Sequence, residues 1–152
     1  MQEPRLEFLY EVDVTLEAPQ QIGEGPRGGR NIFYVRGGRF EGPRLRGEVL
    51  PGGGDWFLQR PDDVGELDVR ITLRTDDGAL IYVTYRGLLH PLSKVMASLA
   101  VGQEPPRAEY YFYTAPFFET AHQDYLWLNK IVGVGVGYAI PGGVRYRVFA
   151  LT

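Results

Sequence analysis

The chain contains no cysteine, which excludes disulfides, thiolate metal sites and a thiol nucleophile. It has only two histidines, His90 and His122, and neither has a second histidine at ligand spacing or a recognisable triad context. His90 and Met96 read as packing or surface residues, and no metal is expected. Lysine is nearly absent: Lys94 and Lys130 are the only two among 16 basic residues, and the arginines are scattered. With a net charge of −3 this leaves no phosphate-tracking surface, so nucleic acid is not an expected partner. No apolar run approaches the roughly 20 residues of a membrane span, and Met1-Gln-Glu-Pro-Arg-Leu6 lacks a charged-then-apolar signal pattern. A cytoplasmic location and no membrane association are the expectation.

What is abundant points to strands. Ten tyrosines, eight phenylalanines and 20 glycines favour β-structure broken by tight turns, and 152 residues suffice for one domain with a real core. The clearest stretch is Glu66 to Gly87. Glu66–Arg74 and Ala79–Gly87 both alternate polar and apolar residues, with turn chemistry at Thr75-Asp-Asp-Gly78 between them. A two-residue loop would set each strand's apolar face against the other's polar face. A three-residue loop, Asp76-Asp77-Gly78 with Gly78 left-handed, instead groups Val69, Ile71 and Leu73 with Ile81, Val83 and Tyr85. The other face carries Asp68, Arg70 and Thr72 beside Tyr82, Thr84 and Arg86, and either meets solvent or lines a pocket.

Along the rest of the chain, Leu6, Phe8, Tyr10, Val12, Val14 and Leu16 share one face of a long first strand. Ala18 to Gly29, rich in glycine and proline, reads as a long loop, either a crossover or a lid. Asn31–Arg36 is a short strand, Gly37-Gly38 a turn, and Arg39–Leu50 a strand bent by Gly42-Pro43 and Gly47. Pro51-Gly-Gly-Gly-Asp-Trp-Phe57 puts an acid and a large aromatic after a flexible connection, as a pocket mouth or as a capped turn. Leu92–Val101 has helical spacing, stopped by Gly102. Tyr110-Tyr-Phe-Tyr113 is aromatic on both faces, and Tyr125–Tyr138 reads as a strand in which Trp127, Asn129, Ile131, Gly133, Gly135 and Gly137 share one face. The small residues there make room for a neighbouring aromatic or a ligand. Val144–Leu151 is the last strand. Gly25–Arg30 and Gly133–Gly137 superficially resemble phosphate and dinucleotide loops, but neither opens a helix, so no cofactor is expected. About nine or ten antiparallel strands with one short helix make a closed, mainly all-β barrel the expected fold, ahead of a two-sheet sandwich.

With these elements in view, the sequence resembles the DUF3237 family, also called UPF0311, over nearly its whole length. The resemblance is carried by Gly25-Pro-Arg-Gly-Gly-Arg30, Gly38-Arg-Phe-Glu-Gly-Pro43, Gly47-Glu-Val-Leu-Pro-Gly-Gly-Gly-Asp-Trp56 and Thr72–Tyr82. Further along it rests on Tyr111-Phe-Tyr-Thr114 with Pro116, on Phe118-Glu-Thr120 and on Tyr125-Leu-Trp-Leu-Asn129. It implies a lipocalin-like β-barrel of the single domain 1–152. Some fungal relatives resemble cyclases that close an oxygen heterocycle by adding a hydroxyl across an alkene.

Three functions are compatible with these residues. The first is a cofactor-independent enzyme acting by proton transfer on an aromatic or polyketide-like small molecule, by cyclisation, hydration or isomerisation. It needs a carboxylate, a donor for developing negative charge and apolar walls. Asp55 and Glu119 are the candidate acid/base residues and Arg70 and Tyr82 the candidate donors. Trp56, Tyr111 and Trp127 are candidate stacking walls, with Asn129 and Asp68 as further substrate contacts. The second is a barrel that binds a small apolar ligand without turnover. The third is a structural protein, for which an exposed Tyr110–Tyr113 strand offers a homodimer surface.

Overall fold

The structure, a computed structural model, describes residues 2–152. Among these residues are ten strands: β1 Leu6–Leu16, β2 Gln20–Gly25, β3 Gly28–Glu41, β4 Arg46–Val49, β5 Gly54–Gln59, β6 Gly65–Thr75, β7 Leu80–His90, β8 Tyr111–Glu119, β9 Gly133–Ile140 and β10 Gly143–Leu151. All pairings are antiparallel, and β1 bonds to β10 on one side and to β3 on the other, so the sheet closes into a barrel. β4 and β5 are successive halves of one stave between β3 and β6, interrupted at Leu50–Gly53, and β2 is appended to β3 alone. The closed ring therefore has eight positions. Helix α1, Leu92–Ala100, and two 3₁₀ segments, Arg107–Glu109 and Gln123–Lys130, complete the chain. No helix among the described residues is long and apolar enough to cross a membrane.

The β6–β7 hairpin has the expected register: Leu73 opposes Ile81, Ile71 opposes Val83, Val69 opposes Tyr85, and Gly78 has φ +92°. These six side chains are buried, whereas the face bearing Arg70, Tyr82 and Arg86 is turned to solvent. Helix α1 also falls where its spacing placed it. Leu92 and Val95 are buried, and Gly102 at φ +72° stops it, its amide donating to Leu99 O at 3.0 Å.

Elsewhere local irregularities overrule the sequence pattern. A bulge at Leu9 shifts the phase of β1, so Leu9 and Tyr10 are both buried while Leu6 is left outside at 53 % exposure and Phe8 packs on Phe149. The Ala18–Gly29 stretch is a hairpin, not a loop. Its strand β2 is exposed at every residue and so carries no alternation to read. Gly37-Gly38 is a bend inside the continuous strand β3, not a turn. A Cβ on Gly38 would lie 1.9 Å from Asp13 O of β1, so only glycine permits the close crossing. The Arg39–Leu50 strand is divided between the end of β3 and β4. The segment read as the start of a long strand at Tyr125 is instead the 3₁₀ helix Gln123–Lys130, in which Tyr125 and Leu128, three apart, point inward. Its start is fixed by His122 Nδ1 accepting from Asp124 N, and Tyr125 donates its hydroxyl to Asp77 at the β6–β7 tip at 3.1 Å. Trp127 and Asn129 therefore do not share a strand face with the glycines.

Gly133, Gly135 and Gly137 do face inward, and each is covered by a side chain of β8. A Cβ on Gly137 would stand 2.5 Å from the Phe112 ring. Gly137→Ala is therefore expected to cost about 1–3 kcal/mol in chemical denaturation, and Phe112→Leu in the same chain should recover part of that loss. Equal losses with and without Phe112→Leu would mean that the ring is not what the glycine accommodates.

Candidate functional site

The barrel interior is filled unevenly. Toward the β6–β7 tip, Tyr10, Phe40 and Phe118 pack edge to face around the buried Leu73, Ile81 and Val83. Toward the other end lies a cavity of about 400 Å³. Its walls are the inward residues of five strands, Phe57 on β5, Val69 on β6, Tyr85 and Leu89 on β7, Phe112 on β8 and Tyr146 on β10, with Phe33 of β3. Leu92, Val95, Met96 and Leu99 of α1 roof it, and Glu17–Pro19 with the Gly142-Gly143 turn form its rim. The volume lies at the smaller end of small-molecule sites.

One acid is set into these apolar walls. In β5 the period of two points Asp55 and Phe57 inward and Trp56 outward, and Asp55 pairs with Phe33 and Val69 on the flanking strands. Asp55 is 8 % exposed. Its Oδ1 accepts from Asp68 N at 3.0 Å, Oδ2 has no hydrogen-bond partner among the described residues, and the residue lines the cavity. Burial raises its pKa from 3.8 to about 7. The Asp68 amide and the more distant Arg30 oppose this rise, and the Asp68 carboxylate adds to it. Arg30 does not reach Asp55, because its Nη1 donates to Trp56 O at 2.7 Å. The rings of Tyr85 and Tyr146 meet edge to face at 5.3 Å. Burial pushes both phenols well above their ordinary range; their mutual hydrogen bond adds to the rise at Tyr85 and opposes it at Tyr146, and the Asp55 charge raises both, so both stay neutral and one is bonded to the other. A proton acceptor poised near neutrality beside two phenols can take a proton from a bound molecule, return it, and stabilise the oxygen that bears the charge between.

Of the residues singled out in the sequence, the cavity takes Asp55 alone. Trp56 lies outside, with Arg70 over its ring at 5.7 Å and Tyr34 against its edge. Tyr82 and Glu119 are cross-strand partners on the outer face. Asp68 reaches the site through its backbone amide, its side chain being directed outward with Arg70. The reason is parity: on each strand these residues alternate with the buried set, and the hairpin's polar face meets water. Tyr111 is 45 % exposed and stacks on His90 at 4.9 Å, while Phe112 takes the inward position. Trp127 donates to Asp124 O and lies under Arg44, and Asn129 clasps Thr120 by accepting from its amide and donating to its carbonyl. Both fasten the 3₁₀ segment to the barrel's outside. Tyr85 and Tyr146 were hidden in plain apolar stripes. The usable signal was that Asp55, Tyr85 and Tyr146 all sit at inward parity with known core residues. Among the described residues the one acidic and histidine grouping, Asp77 with His122 and Asp124, is at the surface, and Asp77 already accepts from Thr75 and Tyr125.

Because folding raises the Asp55 pKa, the stability that its neutral form supplies is complete below the ordinary carboxylate range and is lost as pH climbs through about 7. Asp55→Asn cannot ionise. Urea melts are therefore expected to show Asp55→Asn gaining on the parent protein by about 4 kcal/mol between about pH 4 and pH 8, and a gap independent of pH would refute the buried-acid assignment.

The sequence matches the profile of the family described as "Protein of unknown function (DUF3237)" over residues 4–151. A UPF0311 protein of Rhodopseudomonas palustris is 34 % identical over 134 residues, covering 87 % of this chain and 88 % of the relative. The crystal structure of a β-barrel-like protein from Acinetobacter baumannii superposes with a TM-score of 0.86 at 34 % identity, covering 100 % of this chain and 98 % of the other. A protein from Penicillium herquei, described as an enzyme, shares the fold at a TM-score of 0.74 and 21 % identity, with 100 % of this chain and 97 % of that one aligned. With the family profile matched almost end to end and a curated member 34 % identical over most of both chains, the chain belongs to the DUF3237 (UPF0311) family.

Proposed function

We propose that this protein is a cofactor-independent enzyme that moves a proton on a small aromatic or polyketide-like molecule held in the barrel cavity. The observation that carries the reading is Asp55: a carboxyl with one oxygen fixed by a backbone amide, the other free toward an apolar cavity, and an ionisation midpoint near neutrality. A purely structural acid would have both oxygens bonded or would face water.

The reaction class that suits the site is redox-neutral, since proton transfer alone completes it. In an intramolecular cyclisation, Asp55 as carboxylate takes the proton of a substrate hydroxyl as that oxygen bonds to one alkene carbon. The π electrons go to the neighbouring carbon, which takes a proton back from the Asp55 carboxyl. The hydrogen-bonded Tyr85–Tyr146 pair donates its remaining hydroxyl proton to whichever substrate oxygen gathers charge. Hydration and isomerisation use the same two roles. The likeness to a fungal protein described as an enzyme supports a barrel of this kind hosting catalysis, at the level of the fold.

The mostly apolar lining favours a second reading, a carrier that binds without turnover, and one experiment separates the two. A panel of flavonoids, naphthols and polyketide aromatics is screened by thermal shift, where saturation at 100 times the dissociation constant adds about 2.7 kcal/mol. Any ligand found is then followed for conversion. For the enzyme, Asp55→Asn is expected to retain binding but lose about 10²–10⁴ in rate, with Tyr146→Phe intermediate. A ligand bound equally by both forms and converted by neither favours the carrier.

A further inference from the structure

The cavity has a charge character as well as a shape. Its acidic side chains are Asp55 inside and Glu17 at the rim, and among the described residues no lysine, arginine or histidine lines it. Two arginines beside its lining are both engaged. Arg30 gives its Nη1 to Trp56 O, and Arg36 grips both oxygens of Glu17 at 3.1 and 2.9 Å. The groups whose charge or hydroxyl is coupled to Asp55 from the surrounding strands are Arg30 on β3, Asp68 on β6, Tyr85 on β7 and Tyr146 on β10. The hydrogen-bonding groups left for a ligand are therefore the Asp55 carboxyl, the one hydroxyl proton that the Tyr85–Tyr146 pair does not use internally, and the amides of Asn31 and Gln59.

From this we infer that the cavity selects uncharged molecules of two or three rings and turns away anions, carboxylates above all; the inference rests on the reading of this cavity as a ligand site. A carboxylate entering it would shed its hydration without meeting a cation. It would also come to lie near Asp55, where two carboxyl groups cannot both stay ionised and one must hold a proton. A phosphate, with more charge, fares worse. An ammonium would be matched only by ionised Asp55, and the pair would be buried among Phe33, Phe57 and Phe112 at a desolvation penalty that its attraction does not fully offset. A neutral hydroxyl or carbonyl incurs none of these costs. It finds in Asp55 a partner that donates when protonated and accepts when ionised, while the three phenylalanines cover its rings.

Calorimetric titration of the intact protein with naphthol, naphthoate and naphthylmethylamine tests this, at about pH 6 and about pH 8, in the parent chain and in Asp55→Asn. Naphthol is expected to bind best. Naphthoate should be weaker by at least about 30-fold at the lower pH and by about tenfold more at the higher, where Asp55 ionises. Asp55→Asn should abolish the pH-dependent step and keep the about 30-fold deficit, because the substitution supplies no cation. Naphthoate binding within about threefold of naphthol at both pH values would overturn the charge selection while leaving the cavity a ligand site. Tighter binding of the amine than of naphthol would overturn it in favour of a cation site. Failure of all three to bind would remove the ligand site itself, and the selection with it.

Discussion

The rest of the structure depends on β1 being bonded on both sides, to β10 and to β3. An open sheet of this size would present two free edges and two wet faces. Once β1 bridges the ends, one face of every stave becomes interior, and the period of two sorts each side chain into water or out of it. That sorting takes Asp55 into the cavity while its neighbour Trp56 is put outside beside Arg70. The raised pKa of Asp55 is thus a consequence of closure: desolvation is its largest cause, and only a closed barrel removes water from that position.

Closure itself depends on a few places where backbones come closer than a side chain allows. A Cβ on Gly38, Gly42 or Gly143 would stand 1.9, 1.8 or 2.2 Å from a carbonyl oxygen of β1. These glycines let β1 be crossed tightly from both sides. The two ends of the barrel are then filled differently. Tyr10, Phe40 and Phe118 fill one end, and the 3₁₀ segment is tied to the hairpin tip through Tyr125 and Asp77. With that end packed, the other can stay hollow under α1, at a cost in buried contacts that a ligand would restore.

Regular alternation was the part of the fold legible in the sequence. The β6–β7 register follows from it together with the turn chemistry of Asp76-Asp77-Gly78, and α1 follows from Leu92, Val95 and Leu99 with Gly102. The bulge at Leu9, the bend at Gly38 and the exposed strand β2 were not legible, because each is decided by a neighbouring strand rather than by its own residues. In the site, Asp55 stood out as an acid between glycines and aromatics. Arg70, Tyr82 and Glu119 are chemically as suitable, but the outward parity of their strands takes them away, and parity cannot be assigned until the core is known. Tyr85 and Tyr146 are illegible as site residues for the converse reason: a tyrosine in an apolar stripe reads as packing, and only the placement of Asp55 sets their hydroxyls apart from it.

The central claim is that Asp55 is a dry carboxyl able to exchange a proton near neutral pH. Its direct test is titration of the Asp55 side-chain carbon by carboxyl-detected NMR, with the resonance assigned by its disappearance in Asp55→Asn. A midpoint of about 7 is expected, against 3.8 for an unperturbed aspartate. A midpoint in the ordinary carboxylate range would mean that water reaches the carboxylate, and the acid/base reading of the cavity would be contradicted.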